Sequence, residues 1–536
     1  MDILQYTSRN KKQSSLVLSF ILKLHFSGKD PLKYKISVFQ YGMRSLLTFI
    51  FQIIVFLTLP MQFLNAQVNK GWTANFPGVG IYSSVRMADL NQDHIKDIII
   101  GCGKLEFEKT DSAVMAIDGA NGKMLWRVGA RDQIFGSASL LDINHDSTVD
   151  ILIGGRSAEL MAINGRSGEI LWEYFASGDT VKAGDSGLYN FFNPQIIPDQ
   201  DLDGLPDILI SNGGDVNAEP HDRNRPPGKL MVISSRSGKA LAEAFMPDGK
   251  ETYMSVVVTK IHENDEDLTV IFGTGGETIS GNLYRTSLKN VMNRDISGAS
   301  ILVKGKEKGF IAPPVACDVN QDGYKDIVVN AVEGRIMAIN GKNNEVIWEK
   351  IISNTEAYGS LAVGYFNQDS IPDFFSSYAK GIWPNLEEAN QFMFNGANGT
   401  VEFMDTLGVV QTSTPVVADF NGDGFDDGLM SINFAGVEHY MFKKYYNMLV
   451  IYDFRNRSTF QLTDFFPGVN LASTPWLGDL DNDGYLDVIY AYLTETRDIL
   501  AMNGFRISRI STNIKINKPV KWGAYMGSDY DGVFEK

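Results

Sequence analysis

The chain repeats one acidic motif, D-x-[DN]-x-D-x-x-x-D, between short apolar runs. The motif occurs, once with Tyr at its first position, at Asp89–Asp97, Asp142–Asp150, Asp199–Asp207, Asp318–Asp326, Tyr365–Asp373, Asp419–Asp427 and Asp479–Asp487. Successive starts lie 47 to 60 residues apart, except for one interval of 119 residues, which is about two periods. A regular period of this length is typical of folds in which each unit packs on its neighbours.

The long interval contains an eighth, degenerate unit. Residues 255–276 keep the apolar flanks of the repeat, but their acidic loop, HENDED, has lost the spacing of the motif. Each unit contains about four short β-rich runs separated by turn residues, which is the pattern of a β-propeller blade. We therefore predict an all-β fold, a single eight-bladed β-propeller over 67–536, with seven blades as the alternative. A strand around Trp72 is expected to complete the blade that begins near Asp479.

The N-terminal segment is predicted to be a targeting signal. Residues 45–64 are apolar and uncharged, they follow Arg44, and the small residue Ala66 comes shortly after them. This pattern indicates a signal peptide over 43–66, and an uncleaved membrane anchor is the alternative. Residues 1–42 are then an upstream extension or the product of a mis-assigned start. The body is expected to be exported, to the periplasm, the cell surface or the medium.

The chemistry of the repeated loops favours calcium. Motif positions 1, 3, 5 and 9 carry Asp or Asn, and such hard oxygen donors without nitrogen or sulfur select Ca²⁺ over transition metals. Gly at position 6 permits a sharp turn, whereas Tyr365 removes one donor from the fifth loop. The predicted metal ligands are Asp89, Asn91, Asp93, Asp97, Asp142, Asn144, Asp146, Asp150, Asp199, Asp201, Asp203, Asp207, Asp318, Asn320, Asp322, Asp326, Asn367, Asp369, Asp373, Asp419, Asn421, Asp423, Asp427, Asp479, Asp481, Asp483 and Asp487.

The charge of the chain agrees with this interpretation. The net charge is -16, which argues against a nucleic-acid partner, because nucleic-acid binders present a basic surface. Much of the surplus acid lies in the seven loops, so the acidity indicates bound cations and says little about partners. A monomer that contacts a membrane only through an uncleaved signal segment, if at all, is expected.

The loops and their flanks resemble FG-GAP/VCBS-type repeats, the calcium-loop propeller repeats that also form the heads of integrin α-subunits. The resemblance implies an extracellular propeller stabilised by several calcium ions. It also implies that positions 1, 3, 5 and 9 are the ligands, with Tyr365 excepted.

A second resemblance overlaps the first. The segments AIDGANGKMLW, AINGRSGEILW and AINGKNNEVIW look like the tryptophan-docking motif of PQQ-type quinoprotein propellers, which implies that Trp126, Trp172 and Trp348 wedge between blades. Quinoproteins of that family use two adjacent cysteines beside the cofactor, whereas Cys102 and Cys317 lie in units one and five. These units face each other across an eight-bladed ring, so two buried free thiols are expected rather than a disulfide.

A long polar loop is the candidate ligand site. Residues 211–228 are rich in Pro and charge, and they contain His221, Arg223 and Arg225. Segments 273–282 and 433–446 follow equivalent strands, so all three are expected on one rim of the central channel.

The function predicted from these patterns is an exported, non-enzymatic binding or interaction scaffold for a glycan or a protein. No nucleophile elbow, phosphate loop or zinc-helix motif occurs in the sequence, and no catalytic residue is assigned. One alternative is a carbohydrate-active enzyme of the polysaccharide-lyase type, since some rhamnogalacturonan lyases are eight-bladed calcium propellers. A PQQ-type quinoprotein oxidoreductase is the less favoured alternative.

Overall fold

The computed structural model describes residues 71–175, 189–215, 218–219, 221–438 and 442–535. These residues form eight antiparallel sheets that follow one another along the chain as the blades of a propeller. The all-β, eight-bladed prediction is confirmed. The expectations for 1–42 and 43–66 lie outside the described residues.

The first four blades follow the repeat closely. Blade 1 contains β2 (Arg86–Ala88), β3 (Asp97–Gly101), β4 (Thr110–Ile117) and β5 (Met124–Ala130). Blade 2 contains β6 (Ser139–Leu141), β7 (Asp150–Gly154), β8 (Leu160–Ile163) and β9 (Ile170–Glu173). Blade 3 contains β10 (Asn190–Phe191), β11 (Gln195–Ile197), β12 (Asp207–Gly213), β13 (Lys229–Ile233) and β14 (Ala240–Phe245). Blade 4 contains β15 (Val257–Thr259), β16 (Thr269–Gly273), β17 (Asn282–Ser287), helix α1 (Leu288–Met292) and β18 (Ser300–Lys304).

The last four blades include three with long hairpins. Blade 5 contains β19 (Val315–Cys317), β20 (Asp326–Ala331), β21 (Arg335–Ile339) and β22 (Val346–Ile351). Blade 6 contains β23 (Thr355–Glu356), β24 (Ala362–Gly364), β25 (Asp373–Ile382), β26 (Asn385–Phe394) and β27 (Val401–Thr406). Blade 7 contains β28 (Val416–Ala418), β29 (Asp427–Glu438), β30 (Phe442–Asp453), β31 (Ser458–Gln461) and β32 (Phe466–Pro467). Blade 8 contains β33 (Trp476–Gly478), β34 (Tyr485–Leu493) and β35 (Gly504–Lys515), together with β1 (Thr73–Pro77).

The first and last parts of the described chain share blade 8, which closes the ring. Strand β1 pairs antiparallel with β35, from Thr73 opposite Ser508 to Pro77 opposite Gly504. The predicted closure is therefore confirmed, and the outermost edge of β35 is covered rather than left open. Cys102 and Cys317 are both buried and free, as expected.

The docking tryptophans join neighbouring blades in the predicted manner. The indole nitrogens of Trp126, Trp172 and Trp348 each donate at 2.7 Å to a backbone carbonyl in the turn between the third and fourth strands of the next blade. Trp72, on the strand that closes the ring, makes the same 2.7 Å bond to Gly119 O. Each ring lies against a turn glycine with positive φ, such as Gly168 beneath Trp126 (φ 74°), where a Cβ would come within 2.8 Å of the indole.

Side chains at the channel axis link the blades a second time. Two residues before the first strand, most blades carry Ser, Thr or Asn, and the backbone N–H of one blade donates to this side chain in the next. The described links run from Thr474 to Ser84 (3.0 Å), Ser84 to Ser137 (3.0 Å), Ser137 to Asn193 (2.8 Å), Asn193 to Ser255 (3.4 Å) and Ser360 to Thr414 (2.9 Å). Blade 5 has Pro313 at this position. We call this set the axial belt.

The C-terminal segment 517–535 crosses the channel beyond the belt. Trp522 O accepts the backbone N–H of Val417 in blade 7, and Gly532 O accepts that of Ala316 in blade 5, both at 2.9 Å. Trp522 and Phe534 are buried against the blade 5–7 core. The segment therefore fills the end of the channel that lies nearer the acidic loops.

The docking geometry predicts a strong dependence on each tryptophan. Trp126→Ala removes a buried ring and an inter-blade hydrogen bond, so we expect unfolding free energy to fall by about 3–5 kcal/mol, and Trp126→Phe to recover part of it. The neighbouring Leu125 is 36% exposed, and Leu125→Ala is the control, with a loss below about 1 kcal/mol. Urea unfolding measures all three, and equal losses for the two alanine variants would contradict the docking role.

Candidate metal loops and channel mouth

The acidic loops connect the first and second strands of seven blades, all at the same end of the ring. In blade 1, Asp89 accepts backbone N–H bonds from Gln92 (2.7 Å) and His94 (2.9 Å), and Asp93 accepts one from Ile95 (2.9 Å). These short-range bonds fold each loop so that the donors of positions 1, 3 and 5 sit close together. The residue at position 6 has positive φ in all seven loops, including His94, Ser147 and Ser370, where glycine is absent.

In two loops the carboxylates converge closely enough for one ion. Oxygens of Asp199, Asp201 and Asp207 lie within 4.8 Å of one another, as do oxygens of Asp479, Asp481 and Asp483. Hard carboxylate oxygens at this spacing suit a divalent cation such as Ca²⁺. In blade 8 a protein cation is also present, because Arg509 bonds both Asp481 (2.5 Å) and Asp487 (3.0 Å).

Position 9 differs from the other three positions. This aspartate begins or lies in the second strand and is at most 2% exposed in all seven loops. Asp97 accepts Leu90 N at 2.9 Å with one carboxylate oxygen and Gly119 N at 3.0 Å with the other. Asp150, Asp207 and Asp326 make the same pair of backbone contacts in their own blades. Position 9 therefore has a structural role that needs no metal.

Burial changes the titration of the position-9 carboxyls. Loss of solvent raises the pKa of Asp97 and Asp326 to about 6, and that of Asp373 and Asp427 to about 8. In the fifth loop, Asn367 donates to Asp373 at 3.2 Å within the loop itself. The expectation that Tyr365 weakens this loop stays a prediction.

The candidate ligand loop lies at the other end of the channel, and Arg225 holds it in place. The Arg225 guanidinium contacts both carboxylate oxygens of Glu251 (3.0 and 2.9 Å) and Tyr253 OH (3.2 Å). It also donates to the backbone oxygens of Glu219 and Asp222. The guanidinium of Arg225 thus forms its hydrogen bonds with other groups of the protein.

The other two candidates in this loop remain on its surface. His221 and Arg223 are exposed. Residues 216, 217 and 220 of the loop lie outside the described residues.

Residues from several blades join Arg225 around the channel opening. Tyr358 OH lies 2.8 Å from Glu356 and 3.5 Å from Glu277, and Lys308 pairs with Glu356. Burial and the neighbouring Glu356 raise the pKa of Glu277. We call Arg225, Glu251, Tyr253, Glu277, Lys308, Glu356 and Tyr358 the mouth cluster.

The structure brings together two of the three predicted rim segments and adds residues that the prediction missed. Segments 211–228 and 273–282 do meet there, through Arg225 and Glu277. Glu251 and Glu356 were not identified, although E-x-Y-x-S occurs in equivalent places at Glu251–Ser255 and Glu356–Ser360. Of segment 433–446, Tyr445 packs in the core shared by blades 1, 6, 7 and 8, and 439–441 lie outside the described residues.

The propeller part of the chain matches a known protein family. The family model described as "FAM234A/B beta-propeller" matches residues 72–382, more than half of the chain. The chain belongs to the FAM234A/B β-propeller family. Mouse protein FAM234A is 27% identical over 159 residues, covering 26% of this chain and 27% of the relative. The bovine protein is 26% identical over 185 residues, covering 30% and 32%. The matched region thus spans less than a third of these family members.

Among solved structures, the propeller resembles quinohemoprotein alcohol dehydrogenase from Comamonas testosteroni. The TM-score is 0.52 at 11% identity, covering 84% of this chain and 77% of the dehydrogenase. At this identity the likeness shows the fold alone. The FG-GAP/VCBS repeat type is not established by these matches. Among the helices of the described residues, none has the length and apolar character needed to cross a membrane.

The two kinds of aspartate predict different effects of substitution in one loop. Asp207 accepts Gln200 N (2.7 Å) and Ser235 N (3.3 Å), whereas Asp201 is exposed. In chelator, Asp207→Ala should lose about 2–4 kcal/mol of unfolding free energy, while Asp201→Ala should stay within about 0.5 kcal/mol of the parent protein. Chemical denaturation in EGTA measures both, and a parent-like Asp207→Ala would refute the structural role.

Proposed function

We propose that the chain is an exported, calcium-stabilised propeller that acts as a binding scaffold for a glycan or a protein. Membership of the FAM234A/B family and the eight-bladed ring fit a non-enzymatic propeller scaffold. The observation that carries the binding role is the mouth cluster, where side chains from blades 3, 4 and 6 and their connections meet at one opening of a rigid ring.

The chemistry of the mouth suits a polar ligand. Partly exposed rings of Tyr82, Tyr253, Tyr358 and Trp383 border the opening, and the exposed carboxylate of Glu277 lies beside them. Aromatic faces can stack on a sugar ring while a carboxylate accepts hydrogen bonds from its hydroxyl groups, and the same groups can hold a polar protein segment. Long hairpins of blades 6 and 7 extend the same rim.

The mouth gives less support to a lyase. That chemistry needs a basic group or an arginine clamp that can reach the substrate, and Arg225 is only 9% exposed and paired with Glu251. His221 and Arg223 stay in the proposal as outer contacts of the ligand.

Calcium is proposed to stiffen the loop end of the scaffold. The support is the donor set of positions 1, 3 and 5, together with the convergence of three carboxylates in blades 3 and 8. A cation there would neutralise carboxylates that otherwise repel one another, and would be coupled to the folded state.

Removing calcium is therefore expected to destabilise the protein. The melting temperature should fall when EGTA is added and recover when excess Ca²⁺, but not the same concentration of Mg²⁺, is supplied. Differential scanning calorimetry on protein shown to be metal-free by elemental analysis measures the shift. An unchanged melting temperature between metal-free and calcium-loaded samples would rule out the calcium role.

The binding role is tested on a glycan array and a protein-capture panel, in parallel with polysaccharide cleavage. A specific ligand should lose at least about tenfold in affinity for Trp383→Ala. The control is Tyr324→Ala, because Tyr324 is a partly buried aromatic in an acidic loop at the opposite end of the ring. Cleavage of a polysaccharide, or a quinone absorbance in the purified protein, would overturn the scaffold interpretation.

A further inference from the structure

The mouth cluster holds three carboxylates and two cations, and only one of the carboxylates is exposed. Arg225 contacts both oxygens of Glu251, and Lys308 pairs with Glu356. The side chains of Glu251 and Glu356 are only 2% and 3% exposed. Glu277 is exposed, and among the residues that the structure describes it forms no ion pair. The cluster thus has one carboxylate more than it has cations, and that carboxylate lies at the surface.

The two buried carboxylates hold three partly exposed aromatic residues in place. Tyr253 OH donates to Glu251 at 3.0 Å, and Tyr358 OH donates to Glu356 at 2.8 Å. The backbone N–H of Trp383 donates to the same Glu356 carboxylate at 3.0 Å. Because both tyrosine hydroxyls are already bonded within the protein, the part of each ring that is available to a ligand is its apolar face.

The exposed carboxylate lies next to these rings. Glu277 lies 3.5 Å from Tyr358 OH, and the Tyr358 ring packs on the Trp383 ring with centroids 5.8 Å apart. Beside Glu277 in the chain, a Cβ on Gly276 would lie 2.9 Å from a ring carbon of Tyr253, so the Tyr253 ring packs against this backbone. One accessible carboxylate and three aromatic rings therefore meet at the mouth.

The electrostatics of this carboxylate favour a positive ligand. Burial and the negative charge of Glu356 raise the pKa of Glu277, although Lys308 and Arg225 act in the opposite direction. A cation brought to Glu277 would stabilise its charged form, and the faces of aromatic rings also attract cations. The carboxylate and the rings therefore select the same ligand charge.

The groups that remain available suit a lysine side chain better than a sugar. A sugar ring presents several hydroxyls, and each of them needs a hydrogen-bond partner when it leaves water. In the mouth cluster, the tyrosine hydroxyls and the carboxylates of Glu251 and Glu356 already bond groups of the protein. A lysine side chain needs only apolar surface for its methylenes and an acceptor for its ammonium group, which Glu277 provides.

We propose that Glu277, together with the ring faces of Tyr253, Tyr358 and Trp383, receives a lysine side chain presented by a protein partner. The carboxylate pairs with the ammonium group, and the rings cover the methylenes. The proposal rests on the binding role proposed above and names the chemistry of its ligand. The acidic loops at the other end of the ring take no part in it.

The first test titrates the full chain with a peptide of glycine and serine that carries one central lysine, at constant ionic strength and calcium concentration. Two matched peptides carry acetyl-lysine or norleucine at that position. The lysine peptide should bind at least about tenfold more tightly than either control, because both controls lack the charge. Ligand-observed NMR measures all three peptides on the parent protein. Equal binding of the three would overturn the proposal.

Variants then test whether the lysine is bound at the mouth. Glu277→Gln should weaken the lysine peptide about tenfold and leave the norleucine peptide unchanged. Glu266→Gln is the control, because Glu266 is exposed in the degenerate acidic loop of the same blade, at the opposite end of the ring. Parent-like affinity in Glu277→Gln, or an equal loss in Glu266→Gln, would overturn the proposal.

The same variants separate this proposal from the binding role itself. If a ligand from the glycan array or the capture panel loses affinity in Trp383→Ala but not in Glu277→Gln, the binding role stands and the lysine assignment is wrong. A deacetylated chitin oligomer that binds more tightly than the lysine peptide, and depends on Glu277, would also overturn the choice of a protein ligand. If the parent protein binds neither the peptide nor any ligand of the two panels, both proposals fail.

Discussion

In four blades the fold depends on the backbone of one residue in the turn between the third and fourth strands. In blade 2 this residue is Gly165, whose N–H bonds the buried Asp150 of its own blade (3.1 Å) and whose C=O accepts the indole N–H of Trp126 from blade 1 (2.7 Å). The same double contact occurs at Gly119, Ser235 and Gly396. One residue thereby fixes both the internal shape of a blade and its attachment to the preceding blade. A change that disturbs one of these contacts therefore also disturbs the other.

The exceptions support this view of the turn. At Gly165 a Cβ would lie 1.9 Å from Val149 O, so a side chain does not fit there. At the equivalent position of blade 3, Ser235 does carry a side chain, and its Oγ donates to Pro206 O at 2.6 Å. Blade 4 has lost the position-9 aspartate, and there helix α1 stands in place of the tight turn. Blade 3 accordingly carries Ala242 at the position where blades 1, 2 and 5 carry Trp126, Trp172 and Trp348. In blade 4, Arg285 donates to Gly341 O in place of an indole.

Much of this architecture could be predicted from the sequence, because each repeat unit corresponds to one blade and equivalent residues occupy equivalent places in successive units. The blade count, the closing strand near Trp72 and the docking role of Trp126 all follow from comparing one unit with the next. The different roles of position 9 and of positions 1, 3 and 5 within the loops could not be predicted in this way. Asp201 and Asp207 are the same residue in the same motif, and only burial distinguishes the exposed donor from the one that holds the backbone.

The mouth cluster was harder still to predict, because its members lie far apart in sequence. Arg225 looked like a free cation in a polar insertion, yet it pairs with Glu251, which precedes the next blade. Such contacts arise from the closure of the ring and leave little local signal beyond the E-x-Y-x-S pattern. The result is a propeller with one end built from acidic loops and the other from aromatic and charged groups around the channel.

The buried position-9 aspartates hold the blades, and we propose that the exposed donors of positions 1, 3 and 5 hold calcium, with Asp207 lying close enough to share the ion in blade 3. Hydrogen–deuterium exchange with and without calcium tests this claim most directly. We expect the amides of 89–96 and the equivalent loops to exchange faster in EGTA, while the turn amides of Gly119, Gly165 and Gly341 keep their protection. Loops that exchange equally fast in both conditions, or turns that open together with the loops, would contradict the account.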